Sequence, residues 1–475
     1  MTRPATLTCD VAVIGAGSAG LSAERAAGAR TLLIDPDFDG TLCATAGCMP
    51  SKLLIAAARA AHHARRAAEF GISAGNLRID GPRVMARVRR ERDRFARLTR
   101  DSFDDLPEGA AIRGRARFAG PGRLVLTDGR GIRARAIVIA TGSAPVIPDA
   151  FRDLGDAVLT TDTLFDQPDL PRRLAVVGGG PIGLEIAQAM GRLGAEVTLF
   201  DGQAVLGKAR CPDVHAALRA AVAQDVILRL GCSTRAARAG DKVRISWQAH
   251  QDDPQGCADG EALFDHVLIA TGRAPALEGL DLPASGLHLD DRGTPVFDRD
   301  TMQCGDAPVF LAGDANADAP LLHEASDEGA IAGRNAARFP HVAAARRSIP
   351  FTLTFTDPPL AAIGVAAEAA AISATSDYGD QGRARVDGQN QGLVRIHADA
   401  TGRLTGADLC APGGEHLAHL LAWAIQTGAS ADDVLALPFY HPTLEEGLRP
   451  ALRQICRQAA LPQPPNRDSG CPAGS

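Results

Sequence analysis

Two cysteines lie close enough in the chain to act together. In "GTLCATAGCMPSKLL", Gly40 to Leu54, Cys43 and Cys48 are separated by four residues at the start of an apparent helix. Backbone N–H groups at a helix start depress a thiol pKa from about 8.5 toward neutrality or below. A thiol and thiolate so paired can pass electrons to an external disulfide by exchange through a mixed disulfide. Zinc is the rival for close cysteines, but it needs a second pair or histidines at ligand spacing. His62 and His63 are near in sequence yet fall on an arginine-rich helix face, so no metal is expected. At the far end, "FYHPTLEEGL" sets His441 next to Pro442 and five residues before Glu446. An imidazole oriented by a carboxylate is a general acid/base unit suited to moving a thiol proton.

Two glycine-rich turns could hold nucleotides. The first unit, Cys9 to Asp35, carries Gly15, Gly17 and Gly20; the second, Arg172 to Asp201, carries Gly178, Gly180 and Gly183. In each, a short apolar strand, a glycine turn, an alanine-rich helix and a second strand ending in an acid follow one another. Glycine permits the tight turn, the close approach of backbone to pyrophosphate and close helix–strand packing, and the helix N-terminus favours the phosphate charge. Asp35 comes 20 residues after Gly15, where a carboxylate can accept the adenosine ribose hydroxyls. Asp201 holds the corresponding place and favours NAD(H) over NADP(H), whose 2′-phosphate it repels; Lys208 and Arg210 lie a few residues on and could soften that preference. Two such sites imply two dinucleotides, most economically a tightly bound flavin (FAD) and an exchanging nicotinamide. "VFLAGDANAD" supports the flavin: a strand delivers Asp314 to hold its ribityl chain. "AIVIATGSAP" and "HVLIATGRAP" echo each other and contribute Thr141 and Gly142 to the first site and Gly272 to the second.

Around these motifs the chain has 475 residues, too many for one hydrophobic core, and is 45% hydrophobic with a net charge of −6. The acidic balance gives no support for nucleic-acid binding, and no apolar run is long enough for a membrane span. Ten cysteines are too sparse for a secreted disulfide scaffold, which points to a reducing cytoplasm. Lys52 stands out as one of only three lysines. Helices are expected over 54–66 and 84–103, the second strongly charged. After Pro350, "FTLTFT" and "GLVRIHAD" read as strands of a mixed sheet and "HLAHLLAWAIQTG" as a buried helix. The Pro- and Gly-rich tail is expected to be disordered, and its single Cys471 to be an inert thiol.

Together these residues, from about Asp10 to Arg453, resemble the pyridine nucleotide-disulfide oxidoreductases with a CxxxxC centre, which include dihydrolipoyl dehydrogenase, glutathione reductase and mercuric reductase. "LLHEASDEGA", Asp201 and "HPTLEE" are similar to dihydrolipoyl dehydrogenase, while Thr45, Phe439 and Pro181 depart from the family pattern. The resemblance implies an α/β fold with two Rossmann-like dinucleotide-binding domains, for FAD and NAD, plus an α+β dimer-interface domain. The divisions expected are 1–149 (FAD, first part), 150–276 (NAD(P)), 277–347 (completing the FAD domain), 348–462 (interface) and 463–475 (tail). It further implies that Cys43 meets the substrate disulfide, that Cys48 lies against the flavin, and that Lys52 pairs with Glu185 near the flavin's central nitrogen. His441, polarised by Glu446, would come from the other subunit of a homodimer. The implied activity is transfer of electrons between NAD(H) and a disulfide through FAD. The substrate would be a lipoyl-bearing protein or, alternatively, a low-molecular-weight disulfide or mercuric ion.

Overall fold

The computed structural model describes residues 6–28, 30–73, 75–250 and 258–462; the tail and Cys471 lie outside them. Strand Thr6–Ile14 is the centre of the first sheet, parallel to Thr31–Asp35 on one side and Gly131–Ile139 on the other. Ala111–Arg113 extends it beyond Thr31–Asp35, and Val309–Leu311 returns from far along the chain to pair with Gly131–Ile139. Val11 and Val13 enter one apolar cluster while Ala12 and Ile14 enter another. Both faces of the sheet are therefore covered, which is why "VAVI" is apolar without alternation.

The second sheet is all parallel, in the order Ile227–Leu230, Glu196–Asp201, Arg173–Val177, His266–Ile269 and Val158–Leu159. An antiparallel sheet of three strands (Cys232–Ala239, Lys242–Ala249, Gly260–Phe264) packs on it through Phe200, Trp247 and Phe264. Directly after the two "ATG" segments, Ser143–Pro145 and Arg273–Pro275 pair antiparallel. The chain thus passes between the two nucleotide units as a short two-stranded ribbon.

The strands after Pro350 correct the expectation of a mixed sheet. Phe351–Thr354, Leu360–Gly364, Leu404–Cys410, Leu393–Ala398 and Ile372–Asp377 lie side by side in that order, and every pairing is antiparallel. None of these neighbours is joined by the right-handed crossover that a parallel pair demands. Helix Gly414–Thr427 covers this sheet with Leu417, Leu421 and Ile425 but leaves Leu420 and Trp423 exposed, so it is buried on one side only within the chain.

Two helices position the cysteines. The expected helix at 54–66 starts earlier and runs Cys48–Arg66, and the charged one runs Gly81–Asp101. Asp80 caps the latter by accepting from the Arg83 N–H at 3.0 Å. Among the described residues no helix is long and apolar enough to cross a membrane.

Candidate active site

The same glycine geometry recurs in both units. Gly15 has φ +106°, and a Cβ there would lie 2.3 Å from the Ala140 carbonyl oxygen; one on Gly20 would lie 1.8 Å from the Gly15 oxygen. Gly178 (φ +111°) and Gly183 repeat this at 2.3 Å from the Ala270 oxygen and 1.9 Å from the Gly178 oxygen. The middle glycines, Gly17 and Gly180, differ, because a Cβ on either would meet nothing within 4 Å. Each stands at the N-terminus of its helix, Ser18–Ala27 or Pro181–Arg192, where free N–H groups face open space that suits a pyrophosphate.

Both acids brace their glycine turn. Asp35 accepts from Ala16 N at 2.9 Å with one oxygen and from Asp37 N and Phe38 N with the other. Asp201 accepts from Gly179 N and, at 2.7 Å, from Gln203 N. Each carboxylate keeps lone pairs for ribose hydroxyls. Arg210 corrects the sequence reading. Its guanidinium is bound to Asp408 at 2.9 Å and to the Gly364 carbonyl at 2.8 Å, so it faces the interface sheet and not a nucleotide. Lys208 stays exposed.

The Thr141 hydroxyl is buried without a hydrogen-bond partner, and Gly142 (φ +71°) and Gly272 (φ +124°) turn the chain at the ends of their strands. Asp314 accepts from Ser143 Oγ at 2.8 Å, and that hydroxyl in turn accepts from Arg273 Nε at 2.9 Å. The turn carrying Asp314 is fixed by fully buried Glu328, which accepts from Gly313 N at 2.8 Å and pairs with Arg347 at 2.9 Å. An orphaned hydroxyl and an available carboxylate at the strand ends fit the ribityl and phosphate groups of FAD.

Cys48 is the first residue of its helix, and Cys43 lies in the short helical turn Leu42–Thr45 just before it. Thr45 ties this turn by donating to the Thr41 carbonyl at 3.0 Å, so its departure from the family pattern leaves the loop held. The hydrogen bond from Cys43, helped by the Lys52 charge, lowers the Cys48 thiol to about 6 despite burial and Glu185. The same contact, with burial, pushes Cys43 up. In the reduced pair the negative charge therefore sits on Cys48 and the proton on Cys43.

Lys52 Nζ lies 2.7 Å from Glu185 Oε2 and 4.3 Å from the centre of the Phe355 ring. The other Glu185 oxygen accepts from Phe355 N at 2.9 Å. One turn on, Gln188 exchanges two hydrogen bonds with the Asp357 backbone, and Arg192 pairs with Asp357 at 2.5 Å and Asp225 at 2.7 Å. Burial would raise the Asp357 carboxyl, but the Arg192 charge and hydrogen bond hold it below the usual range. His62 is half-buried beside this group, not on an exposed helix face.

A cleft of about 450 Å³ opens at Cys43, lined by residues that include Ser22, Arg25, Phe95 and Thr99, and by none beyond Ser326. Cys48 does not line it, and neither does His441 of the same chain. His441 Nδ1 lies 3.0 Å from Glu446 Oε2, which also accepts from Thr443 N at 3.2 Å. Glu446 is buried while the imidazole is 56% exposed, so the carboxylate holds the Nδ1 proton and leaves Nε2 facing outward. Buried Tyr378 anchors this segment through the Leu444 carbonyl at 2.9 Å.

Residues 9–329 match the model of the pyridine nucleotide-disulphide oxidoreductases, and residues 350–452 match the dimerisation domain of the same proteins. The chain belongs to this family. Its members couple FAD to a pyridine nucleotide, and the dimerisation domain supports a homodimer. The chain is similar to the dihydrolipoyl dehydrogenase of Thermus scotoductus, 31% identical over 95% of this chain and 98% of that one. It is also similar to the mercuric reductase of Streptomyces lividans, 30% identical over 95% and 97%. Among solved structures, LpdA from Mycobacterium tuberculosis superposes with a TM-score of 0.79 at 26% identity, covering 94% of this chain and 99% of that chain. The HOCl-induced flavoprotein disulfide reductase RclA from Escherichia coli reaches 0.79 at 22% identity over 94% and 99%, a likeness of fold. As a pyridine nucleotide-disulphide oxidoreductase the chain is an α/β flavoprotein acting on sulfur.

Sequence reasoning missed Phe355, Glu328 and Arg25. Phe355 falls in "FTLTFT" and Glu328 in "LLHEASDEGA", but within those segments neither residue carries a signal of its own part in the site. Arg25 had one: Ser18, Leu21, Ser22 and Arg25 follow the spacing of one helix face, and all four line the cleft.

Proposed function

We propose that this chain moves electrons between NAD(H) and a disulfide through FAD and the Cys43–Cys48 pair, in the manner of a dihydrolipoyl dehydrogenase. The observation that carries this is the division of labour in the pair. Cys43 opens on a cleft, while Cys48, with its thiol lowered to about 6, lies beside Lys52 and Glu185. Bound FAD would be held by the first glycine turn, Asp35, Thr141, Gly142 and Asp314, next to Lys52; NAD(H) would take the second turn, Asp201 and Gly272. FAD supplies a two-electron relay between nicotinamide and thiols.

In the reductive direction Cys43 gives up its proton and attacks one substrate sulfur. The substrate S–S bond breaks as the mixed disulfide forms, and the departing thiolate takes a proton. Cys48 thiolate then attacks the Cys43 sulfur, forming the Cys43–Cys48 disulfide and releasing the second substrate thiolate, which is protonated in turn. Two electrons from the nicotinamide, received by way of FAD, return the pair to its dithiol form. The proton held on Cys43 needs a base on the cleft side, and among the described residues the cleft lining of one chain includes no histidine or carboxylate. His441 of the partner subunit, with its free Nε2, is proposed as that base, so that two sites are shared across a homodimer. The domain divisions given above and a reducing cytoplasmic setting are part of the same reading.

The second reading, reduction of a low-molecular-weight disulfide, is favoured by the hydroxyl groups and the arginine that line the cleft. One panel tests both: NAD reduction with dihydrolipoamide, against NADH and NADPH oxidation with lipoamide, glutathione disulfide, thiohistidine disulfides and mercuric ion. Cys43→Ser and Cys48→Ser should each abolish turnover of every disulfide. Retention of turnover by both variants sinks the proposal.

A further inference from the structure

We propose that Arg210 is a positioning residue for the second dinucleotide site. It pins the loop that follows Asp201 to the interface sheet, so that this sheet helps to set the affinity for the nicotinamide nucleotide. The inference rests on the reading of the second glycine turn as the NAD(H) site. The Arg210 guanidinium donates to Asp408 Oδ1 at 2.9 Å, to the Gly364 carbonyl at 2.8 Å, and to the Ile363 and Ala407 carbonyls at 3.2 Å each. All four acceptors belong to the strands Leu360–Gly364 and Leu404–Cys410 of the interface sheet. The anchor itself is fixed. Asp408 is buried, and its other oxygen lies 2.9 Å from Nε2 of the fully buried His397, whose Nδ1 lies 2.8 Å from Ser373 Oγ. A guanidinium bound to a carboxylate held in this way makes strong and directional hydrogen bonds.

The other end of the loop is the nucleotide turn. Asp201 accepts from Gly179 N and Gln203 N, and Gly207 N donates back to the Gly179 carbonyl at 2.8 Å. Residues 202–205, between these ties, are exposed. Gly207 and Lys208 take successive left-handed conformations, φ +63° and +56°, and a lysine leaves that region unless its neighbours hold it there. A Cβ on Gly207 would lie 2.6 Å from Leu360 Cδ2, so the loop meets the interface sheet with no room for a side chain between them. Arg395 of the same sheet reaches Asp213 at 3.3 Å, in the helix Pro212–Val222 that follows the loop. The loop is thus strung between the glycine turn and the interface sheet. Ordering a loop costs conformational entropy, and a loop fixed beforehand spares the ligand that cost. Released at Arg210, the loop would keep Asp201 but lose the anchor that holds Gly207 against the Gly179 carbonyl, and the cost would fall on nucleotide binding.

ADP-ribose tests this apart from the redox chemistry, because it carries the adenosine ribose that Asp201 would hold but has no nicotinamide to exchange electrons with the flavin. In calorimetric titration of the FAD-loaded enzyme, Arg210→Gln should bind ADP-ribose roughly 3- to 10-fold more weakly than wild type, and Arg210→Lys should lose less. Arg210→Gln leaves buried Asp408 without its cation, so the double variant Arg210→Gln/Asp408→Asn, which buries no unpaired charge, should show the same loss. Hydrogen exchange at the Gln203 and Gly207 amides should quicken in both, while the Ala16 and Phe38 amides, held by Asp35, exchange as in wild type. In turnover the KM for NADH should rise while kcat holds. Wild-type affinity for ADP-ribose in a variant whose flavin spectrum is intact overturns the inference. Equal quickening at both turns overturns it too, since that marks a general loosening of the fold. Asp201→Ala keeps the underlying reading separate: if it leaves ADP-ribose affinity unmoved, the second turn is not the NAD(H) site, and this inference falls with that assignment.

Discussion

The two nucleotide units share a turn but not a neighbourhood. Both use three glycines in the same geometry, and both brace the turn with the acid at the end of the next strand. The first helix, Ser18–Ala27, has 10 residues and the second, Pro181–Arg192, has 12. The first packs against helix Leu322–Arg338 with almost no space between backbones. A Cβ on Gly329 would lie 2.1 Å from the Ala19 oxygen, and one on Gly333 would lie 2.1 Å from the Ala23 oxygen. The second packs through long polar side chains, with Glu185, Gln188 and Arg192 fastening it to Lys52 and the segment Phe355–Asp357. One motif thus serves two ends. Close backbone packing makes a rigid cradle that turns its outer face to the cleft, and a polar stripe ties the other unit to the cysteine helix. A glycine motif reports that a nucleotide can be bound and leaves its function to the far face of the helix.

The largest expected effect separates the two halves of the reaction. His441→Ala should lower disulfide turnover by about 10²–10⁴-fold while leaving flavin reduction by NADH nearly intact, measured by stopped flow. Glu446→Gln should act in the same direction more mildly. Heterodimers of one Cys43→Ser subunit and one His441→Ala subunit should keep about half of wild-type activity if sites are shared, because one site then carries both lesions. Background activity in the heterodimer would place each site within one chain.

Next, the acids should give different phenotypes. NADH should be preferred over NADPH by roughly 100-fold in kcat/KM, about 2.7 kcal/mol, and Asp201→Arg should narrow or invert this with FAD content unchanged. Asp35→Arg should instead strip FAD, read from the absorbance ratio of the purified protein. The reverse pattern would exchange the roles assigned to the two units.

Smaller effects fall on packing. Gly329→Val should cost about 1–3 kcal/mol, because the added carbons meet the Ala19 carbonyl and neither backbone can yield cheaply. Gln188→Ala, which loses two hydrogen bonds to Asp357, should cost about 1–2 kcal/mol. Equal losses in thermal unfolding would erase the contrast between close-packed and polar-tied helices. The smallest effect is one of pH. In the two-electron-reduced enzyme, the long-wavelength absorbance of a thiolate against oxidised flavin should persist above about pH 6 and fade below it, as Cys48 takes up a proton. Cys43→Ser should shift the midpoint upward, since serine is a different donor from the thiol that lowers Cys48. A band already lost by pH 8 would contradict the assignment of the charge to Cys48.

The helices and strands around the glycine turns were legible because their causes are local. Gly15 and Gly178 need positive φ, and a strand buried on both faces must read as continuous apolar residues. The Cys43–Cys48 spacing and the His441–Glu446 pair were legible for the same reason, each being an interaction across a few residues. The sheet after Pro350 was misread as mixed, since alternation reveals strands but not the direction of their partners.

The amino-acid order by itself therefore determined the two nucleotide turns, their acids, the cysteine pair and the histidine with its carboxylate, because short-range sterics and hydrogen bonding specify them. Tertiary structure alone decided that Arg210 faces the interface sheet, that Phe355 supports Lys52 and Glu185, and that Arg25 shares a cleft with Cys43. Phe355 lies 170 residues from Glu185, and no local rule links two groups at that separation. Their meeting depends on how whole helices and sheets pack, where the buried apolar area, summed over the domain, outweighs any single residue's preference.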